Sequence, residues 1–205
     1  MKILIDNGHG IDTRGKCSPD AIHGLTNSPL YFREYKWARE VACMVGSLLA
    51  AEGYDAELLV KEENDIPLAD RTRRANKYRA NEAILVSIHV NAAGNGQQWM
   101  NARGWAIYTS VGITKADKLA DCIALEAKKQ FTAPGLKLRL KADKYMERDQ
   151  EENFYILRNT NCPAVLVENF FQDNKEDVKY LKSDIGKATC ADVIVEGIKA
   201  YLKTL

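Results

Sequence analysis

The sequence lacks the features that define several large classes of protein. Its five cysteines are odd in number, far apart and without a C-x-x-C pair, which argues against a disulfide framework and a cysteine zinc cluster; most are expected to be small core residues. No apolar run approaches the roughly 18 residues of a membrane span, so no membrane insertion is expected. The 29 basic and 28 acidic side chains leave a net charge of +1, so their totals favour neither nucleic acid nor an anionic membrane as partner.

The beginning of the sequence also lacks the core of a signal peptide. Only three apolar residues separate Lys2 from Asp6, whereas a signal peptide needs an apolar core of about 7–15 residues. Synthesis in the cytoplasm without a signal peptide is therefore expected.

No linker or repeat interrupts the 205 residues, and a chain of this length buries roughly 70% of its unfolded surface, so one domain spanning residues 1–205 is predicted.

Two apolar segments lead into histidines. Residues 83–88 are an apolar run without helical period that leads into His89 and then into small residues, a pattern typical of a central strand in an α/β sheet. Residues 2–6 form a shorter strand-like segment that runs into Gly8, His9 and Gly10. Since the carboxyl ends of strands in open α/β sheets converge on one crevice, both histidines are predicted to lie at that edge.

The rest of the chain alternates between helical and strand-like segments, as expected for a sheet built from β-α units. Helices are predicted at residues 34–53, 67–78, 115–131 and 183–202, and further strands at 54–60, 105–110 and 163–168. In the second helix, the basic side chains are placed on the outer side: Arg71, Arg73, Arg74 and Lys77. Residues 11–29, rich in glycine, proline and polar side chains, are predicted to be an irregular loop.

Basic and apolar residues alternate in the first half of residues 136–149. A period of two places the basic side chains, among them Lys137, Arg139 and Lys141, on one face of an extended segment. Such a face is usually solvated, and binding of a carboxylate-bearing substrate is the alternative interpretation.

Four residues at strand ends or in the first turn of a helix form a candidate site: His9, Glu34, His89 and Glu168. Two imidazoles and one carboxylate make the three-ligand set that catalytic zinc uses, with an open position for water or substrate. Zinc lowers the pKa of bound water to about 7, and a second carboxylate can then accept and return a proton. Glu168, at the end of the predicted strand 163–168, suits that role. A single histidine after a strand is usually a loop or core residue, so the prediction depends on the whole set.

Three further polar residues have less specific roles. Asp6 has two interpretations, a partner that orients His9 and a residue of an Asx-turn. Asn91 is expected to shape its loop, and His23 is interpreted as a surface histidine. A cysteine hydrolase built on Cys17 and His23 is disfavoured because both lie in one loop without a visible orienting group.

Several separated motifs occur in the order found in the zinc-dependent N-acetylmuramoyl-L-alanine amidases of the type 3 family, which the chain resembles from residue 3 to about 202. The motifs are Asp6-Asn7-Gly8-His9-Gly10, Glu34 opening a helix that closes on Gly53, Arg71 with Ala75-Asn76, Ser87-Ile88-His89-Val90-Asn91-Ala92, and Pro163-Ala164-Val165-Leu166-Val167-Glu168-Asn169-Phe170-Phe171 with Asn174-Lys175-Glu176. The resemblance implies one Zn²⁺ per chain on His9, Glu34 and His89, and Glu168 as the catalytic carboxylate. The expected fold class is α/β, with an open twisted, mostly parallel β-sheet flanked by helices on both faces.

The sequence departs from the family pattern in its first loop. Asn7 stands where proline is common, and Ile11 follows Gly10 where a further glycine is usual. The stretch between His9 and Glu34 is also longer than in many relatives. These departures leave the implied ligand positions unchanged but bear on the shape of the loop.

The resemblance implies a peptidoglycan hydrolase that cleaves the amide between the lactyl group of N-acetylmuramic acid and L-alanine. The expected partner is the muramyl peptide, and the protein is expected to be a monomer that acts in wall lysis or remodelling, with phage-type release as one route to the wall. The alternatives are another zinc amidohydrolase or carboxypeptidase acting on a different wall amide, and a non-catalytic wall-binding or regulatory protein. Substrate-binding residues are not assigned from the sequence.

Overall fold

A computed structural model describes residues 1–141 and 148–205, and their strands form one six-stranded sheet. The strands are β1 (Lys2–Asn7), β2 (Ala56–Leu58), β3 (Ala83–Asn91), β4 (Ala106–Thr109), β5 (Gln150–Glu151) and β6 (Ala164–Phe171). Their order across the sheet is β2-β1-β3-β6-β4-β5. All neighbours are parallel except β4 and β6, which are antiparallel. The mostly parallel open sheet predicted from the sequence is therefore confirmed.

The helices in the described residues are α1 (Pro19–Ile22), α2 (Glu34–Ala51), α3 (Leu68–Ala75), α4 (Lys115–Gln130), α5 (Tyr155–Arg158), α6 (Lys175–Lys182) and α7 (Asp184–Leu202). Side chains cap the starts of three of the longer helices: Thr114 and Asp117 form a capping box at α4, and Asn174 and Ser183 cap α6 and α7. The loop predicted at residues 11–29 contains the single turn of α1, whose cap is Ser18. None of the helices in the described ranges has the length and apolar composition required to cross a membrane.

Strand alternation divides the core between the two faces of the sheet. Ile3 and Ile5 of β1 belong to the larger cluster, which also contains residues of α2, α4, α6 and α7. Leu4, between them, belongs to a smaller cluster on the opposite face with residues of α3 and α5. Helices therefore cover both faces, as predicted, and the face with α3 and α5 is the more thinly covered one.

The register of the strands decides which residues meet at the carboxyl edge. Asp6 of β1 is opposite Ser87 of β3, and His89 of β3 is opposite Glu168 of β6. The register shifts between His89 and Asn91, so the regular ladder ends immediately after the histidine. The edge of the smaller-cluster face thus presents His89 and Glu168 side by side.

The alternating segment predicted at residues 136–149 is only partly described, because residues 142–147 lie outside the described ranges. Leu138 forms an isolated parallel bridge with Trp105, immediately before β4. Three alternate leucines pack on the larger core cluster: Leu136, Leu138 and Leu140. The period of two is thus present in the described part of the segment.

Candidate metal centre

The loop after β1 holds His9 against β3. His9 has a left-handed backbone, with a φ of 64°, and lies between two glycines that pack tightly. A Cβ atom on Gly8 would lie 2.4 Å from the ring of His89, and one on Gly10 would lie 2.0 Å from the backbone nitrogen of Asp65. Only glycine permits these approaches, which explains both glycines of the Asp6–Gly10 motif.

Glu34 is the first residue of α2, and its side chain is 1% exposed. One carboxylate oxygen, Oε1, accepts a hydrogen bond from the backbone N–H of Val90 at 3.0 Å. The same oxygen lies 3.1 Å from His89 Nδ1 and 3.4 Å from His9 Nε2. The other oxygen, Oε2, is buried and has no hydrogen-bond partner within the described part of the chain.

The three side chains form a compact donor set. One ligand atom from each of His9, Glu34 and His89 lies within 4.8 Å of the other two, and the two imidazole rings stand 5.0 Å apart and nearly perpendicular. Zinc binds imidazole nitrogen and carboxylate oxygen at about 2.0–2.2 Å, so donors of one ion lie roughly 3–4 Å apart. The buried, unpartnered oxygen of Glu34 is the kind of atom that a cation satisfies. The geometry therefore fits a possible His-Glu-His metal site.

The Glu34 side chain is negatively charged in the folded chain, which favours the binding of a cation. Burial acts to raise the pKa of this carboxyl, but hydrogen bonds and charge interactions with His89 and His9 outweigh burial, so its pKa lies below the ordinary value. A metal ligand must be deprotonated, and Glu34 is held as a carboxylate in the folded chain.

Glu168 lies beside this cluster, opposite His89 on the neighbouring strand. Its Oε2 atom is buried and has no hydrogen-bond partner among the residues described. Burial and, secondly, the negative charge of Glu34 raise the pKa of Glu168 well above its ordinary value, while the ammonium group of Lys16 acts in the opposite direction. A carboxyl group with a raised pKa next to a metal-ligand set is suited to accept and return a proton.

Arg71 was predicted on the outer side of its helix, and that prediction is wrong, because its side chain is 2% exposed. It donates to Asp6 Oδ1 at 2.7 Å, to the carbonyl of Asn7 at 2.6 Å and to Asp65 Oδ1 at 2.8 Å. These bonds tie α3 to the loop that carries His9. The spacing of four between Arg71 and the buried Ala75 was the sequence signal for its inward direction.

Asp6 adopts neither of its two predicted roles among the described contacts. Its Oδ1 atom pairs with Arg71, and its Oδ2 atom accepts a hydrogen bond from Ser87 at 2.6 Å. Both oxygens are therefore used to join β1, β3 and α3 below the histidines. Since Asp6 is 1% exposed, it is a buried charge that depends on its arginine partner.

A cavity of about 290 Å³ opens beside the histidines on the α3 side. Its lining includes Ile66, Pro67, Leu68 and Ile156 together with His9, His89, Asp6, Asp65 and Arg71. Apolar walls with convergent polar groups are typical of a small-molecule site.

The remaining polar candidates lie apart from the cluster. His23 is exposed, and its Nε2 atom is 3.0 Å from the carbonyl oxygen of Gln97. Asn91 accepts a hydrogen bond from the backbone N–H of Ala92 at 2.8 Å, so it shapes its loop as predicted. The five cysteines are free thiols, and two of them, Cys162 and Cys190, are buried.

An open, mostly parallel sheet with a His-Glu-His donor set and a further carboxylate at its edge is typical of hydrolases that use one metal ion. Residues 3–200 match the family model for N-acetylmuramoyl-L-alanine amidase, type 3. The chain therefore belongs to this amidase family, whose members are hydrolases.

Alignments with individual relatives extend over nearly the whole chain. This chain is 30% identical over 203 residues to the endolysin of Bacillus phage SPP1, and the alignment covers 98% of this chain and 65% of the endolysin. It is 26% identical over 234 residues to the N-acetylmuramoyl-L-alanine amidase AmiC of Neisseria meningitidis serogroup B, covering 98% of this chain and 53% of AmiC. The chain thus spans between half and two thirds of these relatives.

The fold agrees with solved structures. The crystal structure of N-acetylmuramoyl-L-alanine amidase from Clostridium difficile 630 superposes with a TM-score of 0.76 at 26% identity, covering 99% of this chain and 97% of that one.

Proposed function

We propose that the protein is a zinc-dependent peptidoglycan hydrolase that cleaves the amide between the lactyl group of N-acetylmuramic acid and L-alanine of the stem peptide. The observation that carries this proposal is the meeting of two imidazoles and a buried carboxylate at the sheet edge, with Glu168 beside them. Membership of the amidase family supports the choice of scissile bond.

His9, Glu34 and His89 would hold the zinc ion. When bound, zinc supplies Lewis-acid chemistry, since it lowers the pKa of water and polarises a carbonyl group. The Gly8 and Gly10 contacts fix His9 against β3, and Val90 fixes Glu34 through its backbone N–H. The protein thus orients its donors before any ligand arrives.

Glu168 moves the proton. Its carboxylate takes a proton from the attacking water while the resulting hydroxyl adds to the carbonyl carbon of the amide. Glu168 then donates the same proton to the alanine nitrogen as the carbon–nitrogen bond breaks, which leaves a free carboxyl on the lactyl group and a free amine on the peptide. The raised pKa of Glu168 suits both halves of this transfer, because the group holds the proton between them.

The reaction is tested with purified protein and intact peptidoglycan. New alanine amino termini without new reducing sugar ends are expected, because the glycan chain remains whole. Glu168→Gln should stop turnover while zinc content stays near one per chain, and His89→Ala should lose the metal as well. New reducing ends, or new amino termini on a residue other than alanine, would contradict the assignment.

The site of action follows from the substrate. We infer that the protein acts on the cell wall, in lysis or remodelling, and the similarity to a phage endolysin supports the first of these roles. Protein added from outside to cells with an exposed wall should lower the turbidity of the suspension, and Glu168→Gln should not. An unchanged suspension alongside cleavage of isolated wall would instead favour remodelling.

A further inference from the structure

The alternating basic segment faces the same side of the sheet as the proposed catalytic residues. Leu136, Leu138 and Leu140 pack on the larger core cluster, so the side chains between them point to the opposite face. Val165 and Val167 of β6 point into the larger cluster. Because side chains alternate along a strand, Glu168 points to the opposite face, together with Arg139.

Arg139 reaches from this segment to the end of β6. The backbone N–H of Arg139 bonds to the carbonyl of Trp105 at 2.8 Å, on the side of β4 that carries β5. Its guanidinium carbon nevertheless lies 5.4 Å from the centre of the Phe171 ring, in β6 on the other side of β4. The arginine side chain therefore reaches across the chain at the start of β4 and rests on an aromatic face, a contact that fixes the direction of a guanidinium.

A local irregularity in β6 presents that aromatic face. Phe170 has a left-handed backbone, with a φ of 63°, and its ring packs in the larger cluster 5.1 Å from Phe131 and 5.2 Å from Tyr180. The strand alternation is broken there, and Phe171, three residues after Glu168, belongs to neither core cluster. Phe171 is 3% exposed, and the Arg139 guanidinium lies over its ring.

Arg139 has no carboxylate partner among the described residues, whereas its neighbour Lys141 pairs with Glu151 at 3.4 Å. The charges of Arg139 and Glu168 both act on Tyr108 of β4. Burial raises the pKa of the Tyr108 phenol, the Glu168 carboxylate raises it further, and the Arg139 guanidinium lowers it. An exposed, oriented cation with no carboxylate partner among the described residues therefore lies on the same face of the sheet as Glu168, over the end of β6.

We propose that Arg139 binds a carboxylate of the stem peptide on the leaving-amine side of the scissile bond. This inference rests on the proposed function. Glu168 donates its proton to the alanine nitrogen, so the peptide starts beside Glu168 and, in this proposal, runs along the end of β6 towards Arg139. The residue after alanine carries a carboxylate roughly 6 Å along the chain from that nitrogen. A guanidinium binds such a group with two parallel hydrogen bonds.

Binding of a matched pair of ligands tests the proposal without turnover. The ligands are N-acetylmuramoyl-L-alanyl-D-isoglutamate and its isoglutamine analogue, which differ only in a carboxylate against a carboxamide. Calorimetry with the zinc-loaded Glu168→Gln chain should show the acid bound at least about tenfold more tightly, the size expected for a charge-assisted bond. Adding Arg139→Gln should remove this preference by weakening the acid alone, and Arg139→Lys should restore part of it.

Lys137→Gln is the matched control, because Lys137 is an exposed cation two residues away on the same segment, and it should leave the preference intact. Equal binding of acid and amide, or an equal loss for both in Arg139→Gln, overturns the proposal.

Hydrolysis of the same pair by the unmodified chain separates the proposal for Arg139 from the proposed function. A binding preference without alanine amino termini supports Arg139 and rejects the proposed function, whereas cleavage without a preference does the reverse.

Discussion

Replacement of Arg71 by methionine is expected to remove a large share of the stability of the fold. The guanidinium is 2% exposed and bonds to Asp6, Asp65 and the backbone of the His9 loop. Arg71→Met leaves the Asp6 carboxylate buried with only the hydroxyl of Ser87 as partner. Removing one partner of a buried ion pair costs about 3–5 kcal/mol. The Asp65 side chain is 34% exposed, so loss of its pair adds little.

The measurement is urea unfolding followed by tryptophan fluorescence, with a chelator present so that metal binding does not contribute to the free energy. Arg73→Met is the control, since Arg73 and Asp70 form a pair whose side chains are 74% and 42% exposed. Its loss should cost less than about 0.5 kcal/mol. The double variant Asp6→Leu with Arg71→Met should be more stable than Arg71→Met alone, because no buried charge is left without a partner.

A cost below about 1 kcal/mol for Arg71→Met would refute this reasoning, because it would mean that Asp6 finds water or another donor when the arginine is gone. A double variant less stable than Arg71→Met would also refute it. Zinc affinity of Arg71→Met provides a second measurement. It should fall, because the loop carrying His9 loses its anchor to α3.

Three other outcomes follow from the site and the core. Gly8→Ala should weaken zinc binding measured by competition with a chromogenic chelator, because its Cβ would lie 2.4 Å from the ring of His89; Gly46→Ala on α2, whose Cβ would make only ordinary contacts from 3.7 Å, should leave affinity unchanged. The pKa of Glu168 is higher in the folded chain than its ordinary value of 4.5. The contribution of Glu168 to the free energy of unfolding is therefore fully present below pH 4.5, and it is lost as the pH rises through the pKa of the folded state. Metal-free Glu168→Gln should therefore melt above wild type at pH 8, with a difference that disappears towards pH 4.5; a constant difference would exclude this linkage. Iodoacetamide should label the exposed Cys43 in the folded chain but not Cys162, where burial raises the thiol pKa to about 11; equal labelling rates would contradict the burial of Cys162.

The sequence predicted the elements that carry the site because their signals are local. A largely apolar run without helical period is sufficient to predict β3, and helical spacing from Glu34 to a terminal glycine is sufficient to predict α2. The order of motifs identified the family resemblance and, with it, the residues expected to meet. Element ends were less well predicted: the second strand is limited to Ala56–Leu58, and α3 ends at Ala75 rather than near residue 78.

Convergence of the four site residues depended on the tertiary structure. His9 and Glu168 are brought to one edge by the strand order, which places β6 between β3 and β4, and no local pattern encodes that order. The inward position of Arg71 likewise depends on a carboxylate that lies 65 residues earlier in the chain. The contact between Phe171 and Arg139 follows from the left-handed backbone of Phe170, which a run of apolar letters does not reveal.

Local hydrophobic periodicity thus determined which residues form strands and helices, since it depends on neighbours along the chain. Register, strand order and the pairing of buried charges depend on contacts between distant segments, whose free energies are settled only when the whole core packs. For this protein, the residue types of the candidate site were visible in the sequence, whereas the partners that hold and orient those residues were decided by the folded structure.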